Sequence, residues 1–278
     1  MGVHIRDRVV MVTGAGGGFG RRICEKAAAL GACVVAADID AEGLAGTAAA
    51  VLAAGGRILH RQADVTSLAD LQAAVAAGVR EFGRIDAMVN NAGIMPLAYW
   101  RDHAEAARAW DRCIDVNFKG VLNGIMAVHD LMIAQGQGQV INISSIYGNF
   151  PVAGAGVYGA TKAAVNFLSE SLRVESQGAI KVTTIRPTGV PGTGLGAGVI
   201  NPEAIVGILG QNAPAYLAAL QGRTNSPAPD GQGSPDSVRY LALDPDYIAD
   251  AVIHALDQPW GVSVSDITVR ATGDRYIL

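Results

Sequence analysis

Through the first two thirds of the chain, short apolar runs alternate with longer stretches in which apolar positions recur every three or four residues. Val9-Val10-Met11-Val12 is an unbroken apolar run, as expected of a strand covered on both faces. A helix is predicted from about Gly18 to Leu30, a second strand over Cys33 to Ala37, then a helix through Ala53. Ile58 to His60 reads as a third strand, Leu68 to Phe82 as a helix, and Ile85 to Asn90 as a fourth strand. One long helix is predicted over roughly Ala104 to Ala134, followed by a strand at Val140 to Ile143. A helix over Val157 to Gln177 and a strand over Lys181 to Ile185 come next. Strands separated by helix-length segments need crossovers, and right-handed crossovers stack them in parallel. The expected fold is α/β, a doubly wound parallel sheet of Rossmann type, in one domain spanning 1–278.

Beyond Pro187 the pattern changes. Residues 189–235 are rich in Gly, Pro, Ala and Asn, including Ser226-Pro227-Ala228-Pro229-Asp230-Gly231. So long an irregular stretch reads as a flexible substrate lid inserted over about 189–240. A last helix near Pro245 to Leu256 and a short strand near Ile267 to Val269 close the expected fold.

Composition narrows the class. Half of the 278 residues are hydrophobic, many of them alanine, and only 5% are aromatic, which suits helices packed closely on a sheet. No apolar run approaches the ~18 residues that span a bilayer, so no membrane is expected. The charged start from Met1 to Arg8 argues against a signal peptide. A net charge of −4 without a basic block argues against nucleic acid. Cys24, Cys33 and Cys113 are scattered, as in a reduced cytoplasmic protein. The five histidines show no metal-ligand spacing, which disfavours a zinc alcohol dehydrogenase; no metal is expected.

Thr13-Gly14-Ala15-Gly16-Gly17-Gly18-Phe19-Gly20 stands between the first strand and the first helix. Glycines there let a pyrophosphate approach the backbone, and the helix start offers N–H groups and a positive dipole. The spacing is T-G-x3-G-x-G, and no G-x4-G-K-[ST] is present, which excludes a P-loop. Tyr158 and Lys162, four apart on a helix, share a face. A nearby ammonium favours phenolate, so Lys162 is expected to pull the Tyr158 pKa down and make it usable as general acid or base. Ser145 follows the strand ending at Ile143 and so sits at the carboxyl edge of the sheet, where ligands of open α/β folds bind; Ser144 is its competitor.

Thr13 to Gly20, Asp64-Val65, Asn90-Asn91-Ala92-Gly93, Ser145 and Tyr158-Gly159-Ala160-Thr161-Lys162 together resemble the short-chain dehydrogenase/reductase family over about 5–190. The resemblance implies that Gly14, Gly17, Gly18, Phe19 and Gly20 cradle the cofactor. It also implies that Asp64 hydrogen-bonds the adenine with Val65 beside it, and that Asn90, Asn91, Ala92 and Gly93 line the cofactor. Tyr158 would exchange a proton with the substrate oxygen, Ser145 would hydrogen-bond that oxygen, and Lys162 would hold the nicotinamide ribose. Asn117 matches the asparagine that anchors a relay water. Pro187, Gly189 and Val190 would meet the nicotinamide, although Thr188 replaces the usual glycine and the usual threonine is displaced to Thr193. The carboxyl terminus lacks the common Asp-Gly-Gly. A homotetramer is implied, with the helices carrying Asn117 and Tyr158 packed against their mates.

Asp38, twenty residues beyond Gly18, can accept hydrogen bonds from the adenosine ribose and would repel the phosphate of NADP, so NAD is the expected cofactor. The alternative makes Asp38 a helix cap and Asp40 the ribose ligand. Ile94 to Trp100, Tyr147 and Asn149 should wall the substrate pocket, with Met95 and Tyr147 against the substrate beside Ser145 and Tyr158. Tyr99 and Trp100 could equally pack beneath the lid. These walls are neutral, which favours a secondary alcohol or ketone. Two other readings remain: a catalytically silent NAD(H)-binding redox sensor on the same fold, and a sugar epimerase or dehydratase, which prefers T-G-x2-G-x2-G and a longer chain.

Overall fold

Strand β1 (Val9–Thr13) is buried at all five positions and lies between β2 (Cys33–Asp38) and β4 (Ala87–Asn90), parallel to both. The sheet continues through β3 (Arg57–Gln62) on one side and β5 (Gly138–Ile143), β6 (Ile180–Pro187) and β7 (Asp266–Val269) on the other. All seven strands are parallel in the order β3-β2-β1-β4-β5-β6-β7, a Rossmann-type α/β fold. This computed structural model describes residues 2–210, 213–214, 233–241 and 243–274.

The apolar runs are continuous because both faces of the sheet are covered. Val10, Val12, Val34 and Ala36 face one core with Ile23 and Cys24 of α1 (Gly18–Ala29) and Ile253 of α8 (Pro245–Leu256). Val9, Met11 and Val35 face the other, with Leu71 of α3 (Leu68–Phe82), Val128 of α5 (Gly120–Gln135) and Val165 of α6 (Gly156–Glu175). Asp40 caps α2 (Ala41–Ala53) by accepting the Glu42 and Gly43 amides, and Ser67 caps α3 by accepting the Asp70 amide. Asp244 caps α8, where Pro245 supplies a first helical residue that needs no donor.

Two expectations are corrected. The long helix over 104–134 is two helices, α4 (His103–Ile114) and α5, joined by one π-helical turn at Asp115–Lys119. Periodicity is blind to the wider turn, which adds a residue without breaking helical dihedrals. The stretch after β6 also holds regular structure: a 3-10 turn at Gly194–Gly198 and a short helix, α7 (Glu203–Leu209). The Asn201 side-chain oxygen accepts the Glu203 amide at 2.9 Å and starts α7, a cap signal that the Gly/Pro-rich composition obscured. The rest of the expected lid, 211–212 and 215–232, lies outside the described residues.

Candidate active site

The strand order reverses between β1 and β4, and a cleft of about 620 Å³ opens at the carboxyl ends of the strands there. At one end is the glycine loop. Gly14 has φ +66°, and a Cβ on it would stand 2.8 Å from the Ala92 Cα; one on Gly20 would collide with the Gly14 carbonyl oxygen. Asn91 braces the turn by donating to the Thr13 and Gly14 carbonyls at 2.8 and 3.1 Å. Gly17, by contrast, has nothing within 4 Å of where its Cβ would be. It is the N-cap of α1, with no side chain bonding the first-turn amides. Uncapped helix donors beside an open glycine form a cradle for an anion. Thr193, one residue later than the family places its threonine, still stands across from Gly18, 3.6 Å from the ideal Cβ there.

The two aspartates after β2 divide their work. Asp38 lines the cleft, and its carboxylate accepts the Gly16 amide at 2.7 Å and the Asp40 amide at 2.9 Å. Asp40 is occupied as the cap of α2 and is not part of the cleft wall. Asp64 and Val65 line the same end, and Arg112 and Val116 of α4 and the π turn approach from above. Arg112 carries no motif, and only its place one helical turn before Val116 could have marked it. The cleft therefore fits a dinucleotide: uncapped amides for the phosphates, an acceptor for a ribose, and an apolar wall beside Asp64.

At the other end, α6 presents Tyr158 and Lys162, both almost fully buried. The Ser145 hydroxyl accepts the Tyr147 amide at 3.2 Å and stands near enough to the Tyr158 phenol to favour its ionised form, whereas the Ser144 hydroxyl donates to the Lys162 carbonyl at 3.1 Å. Burial pushes the Tyr158 phenol up to about 12, against the lowering by Ser145, with the Cys113 thiol adding to the rise. This corrects the expectation that Lys162 pulls it down. Burial likewise drives Lys162 down to about 8, partly offset by Cys113. Its ammonium donates to the Ile143 carbonyl at 2.8 Å and stands 5.7 Å from the centre of the Tyr158 ring.

Met95, Tyr147, Pro187, Gly189 and Val190 join these residues around the cleft, as do Phe19, Ala92 and Gly93. Asn117 and Gly20 do not reach its surface, nor do Asn90 and Asn149. The Asn117 side chain, wholly buried, is spent on the Ile94 main chain, accepting its amide and donating to its carbonyl at 2.9 Å each. It also donates to the Thr161 hydroxyl at 3.2 Å, tying the π turn to the helix that bears Tyr158. Asn90 is buried in the sheet, donating to Asn142 at 2.9 Å. Tyr99 and Trp100 stay outside the cleft; Trp100 is 72% exposed and sets its ring edge-on against Trp110. Ile205 and Leu209 of α7 take the wall instead, beyond the residues that motif spacing could reach.

Fold and site together define an α/β oxidoreductase fold whose cleft fits a dinucleotide beside a buried tyrosine–lysine–serine group. The short chain dehydrogenase family matches residues 8–203, and the chain belongs to it as an oxidoreductase acting on a small molecule. An uncharacterised oxidoreductase of Listeria innocua is 34% identical over 268 residues, 96% of this chain and 98% of the relative. A short-chain dehydrogenase/reductase of Burkholderia phymatum, solved with NAD, is 27% identical with a TM-score of 0.75. That alignment covers 95% of this chain and 89% of the other. A serine dehydrogenase complexed with NADP+ is 28% identical with a TM-score of 0.77, over 97% of each chain. Solved neighbours thus bind either nicotinamide cofactor. Among the described residues, no helix is long and apolar enough to cross a membrane.

Proposed function

We propose that this enzyme is an NAD-dependent alcohol dehydrogenase or ketone reductase with Tyr158 as its general acid and base. The observation that carries the reading is that Ser145, the buried Tyr158 phenol and Lys162, one helical turn further along α6, meet on the wall of the same cleft. A carbonyl oxygen placed between Ser145 and Tyr158 receives one hydrogen bond from each, whereas a hydroxyl there accepts from Ser145 and donates to the Tyr158 phenolate. Tyr158 gives its proton to that oxygen in reduction and takes it back in oxidation, while Ser145 fixes the oxygen's position. The bound nicotinamide supplies or accepts the hydride. Gly14, Gly17, Gly18 and Phe19 would hold its phosphates, Asp38 the adenosine ribose, and Asp64 and Val65 the adenine. Asn91, Ala92, Gly93, Pro187, Gly189 and Val190 would line the nicotinamide half, and Lys162 its ribose. Asn117 acts through Ile94 and Thr161 in this reading, as a positioning residue.

Near Ser145 the wall is neutral, with Met95, Tyr147, Ile205 and Leu209 around it, which suits a neutral secondary alcohol or ketone. The reading takes the chain as one domain whose 189–240 segment serves the substrate side, working in the cytoplasm as a homotetramer. Met126 and Ile133 on α5 and Phe167 and Val174 on α6 support that assembly, as exposed apolar side chains on the helices expected to meet their mates. The deciding experiment is a fluorescence titration with NADH beside a turnover screen of neutral alcohols and ketones. Tyr158→Phe should bind NADH normally and lose about three decades of kcat. Near-normal turnover by that variant overturns the assignment, and wild-type binding without any turnover establishes the silent sensor instead.

A further inference from the structure

Three loops from the carboxyl ends of β4, β5 and β6 meet beside Tyr158, and main-chain hydrogen bonds stitch them together. The Ile200 and Asn201 amides both donate to the Leu97 carbonyl at 3.1 Å, and the Ala98 amide donates to the Gly154 carbonyl at 3.0 Å. Gly154, at φ +82°, leaves no space: a Cβ there would stand 2.6 Å from the Ala204 Cβ. The inner side of the junction is apolar. Leu97, Ala204 and Leu209 are buried together, with Met95, Tyr147 and Ile205 packed on them.

The outer side carries a polar clasp. The Asp102 carboxylate accepts the Tyr99 amide at 2.9 Å and the Asn201 side-chain amide at 2.8 Å. The Asn201 side-chain oxygen, in turn, is the acceptor that starts α7. One side chain thus joins the loop after β4 to the helix after β6. Arg101 pairs with Glu203 at 2.7 Å nearby, but those side chains are 67% and 71% exposed, where a pair adds little. The Asp102 side chain is 19% exposed, so its charge-assisted bonds are the stronger ones.

We propose that Asp102 and Asn201 are positioning residues that clasp the two walls of the substrate end into one body and thereby set substrate affinity. The proposal rests on the catalytic reading of the cleft for its effect on turnover, whereas the clasp itself is a property of the fold. Neither residue lines the cleft, so both act through Leu97, Ile205 and Leu209, which do. Among the described residues, none of the cleft-lining residues that the junction contributes is charged. The clasped wall therefore selects a substrate whose polar group is the one that meets Ser145 and Tyr158, with hydrocarbon for the remainder.

The test uses the full chain and two readouts. In hydrogen exchange, Asp102→Ala and Asn201→Ala should each lower protection of the Ala98, Ile200 and Asn201 amides together by about tenfold, while Glu203→Ala leaves it within about twofold. In steady-state kinetics with the best ketone found, the same two variants should raise KM by about tenfold and leave kcat and the NADH Kd within about twofold. Unchanged protection in both clasp variants overturns the proposal, as does an equal loss in Glu203→Ala. A protection loss accompanied by a fall in kcat at constant KM overturns the substrate-setting role. If the wild-type protein turns over nothing while the variants lose protection, the clasp stands and the dehydrogenase reading falls.

Discussion

Lys162 lies 5.7 Å from the centre of the Tyr158 ring, yet its ammonium donates to the Ile143 carbonyl at 2.8 Å. Burial pushes both groups toward their neutral forms, the phenol up to about 12 and the amine down to about 8. The charge that would help Tyr158 is therefore held at a cost in stability, as expected of a functional lysine in an apolar surround.

That cost has a pH signature. Between about pH 8 and 10 an unfolded Lys162 keeps its proton while the folded one loses it, so the unfolded state binds more protons and stability rises with pH. Lys181, also driven down to about 8 by burial with help from Arg8, adds to the same window, so the comparison must be by difference. Lys162→Met should raise Tm at pH 7 by a few degrees, after losing the bond to Ile143, and abolish turnover. The wild type's deficit in denaturant should then shrink by about 2 kcal/mol relative to the variant from pH 8 to 10. A parallel pH dependence in the two proteins would contradict this assignment.

Direction of catalysis should respond to pH through Tyr158. With its pKa near 12 the phenol is already protonated at neutral pH, ready to act as the acid in carbonyl reduction. Alcohol oxidation needs the phenolate, so its kcat/KM should climb close to tenfold per pH unit between about pH 7 and 9. Reduction should vary within about twofold between about pH 6 and 8. A flat oxidation profile measured with a fixed alcohol would remove Tyr158 from the base role.

The two serines after β5 should separate cleanly. Ser145→Ala removes the cleft-lining hydroxyl that favours the ionised form of Tyr158 and should lower kcat by about two decades or more. Ser144→Ala loses only the bond to the Lys162 carbonyl and should cost about 1 kcal/mol of stability with turnover reduced severalfold at most. The reverse ranking in kinetics and melting would move the substrate contact to Ser144.

Cofactor choice should follow Asp38. Its carboxylate lines the cleft, and a phosphate on the adenosine ribose ~5 Å away would be repelled by roughly 3 kcal/mol, about a hundredfold in affinity. The wild-type kcat/KM should favour NAD over NADP by about that factor, and Asp38→Ala should shrink the ratio sharply. Comparable use of both cofactors by the wild type refutes the claim. An unchanged ratio in Asp38→Ala does the same for the residue.

The order of strands and helices, the glycine loop and the tyrosine–lysine turn were determined by the sequence alone, because each depends on short-range periodicity or spacing. Val9 to Val12 reads as a buried strand, and Tyr158 and Lys162 share a helix face, whatever surrounds them. Only the tertiary structure decided matters of direction and burial. It tied the Ser144 hydroxyl to the Lys162 carbonyl and left the Ser145 hydroxyl beside the phenol, and made Asp40 the cap that leaves Asp38 in the cleft. It also inserted the π turn at Asn117 and brought Asn201 to Asp102, 99 residues distant in the chain. The sign of the Tyr158 shift went the other way from the sequence expectation for the same reason. Spacing places a lysine near a tyrosine, but desolvation depends on every residue packed around both, and in this fold that burial outweighs the neighbouring amine.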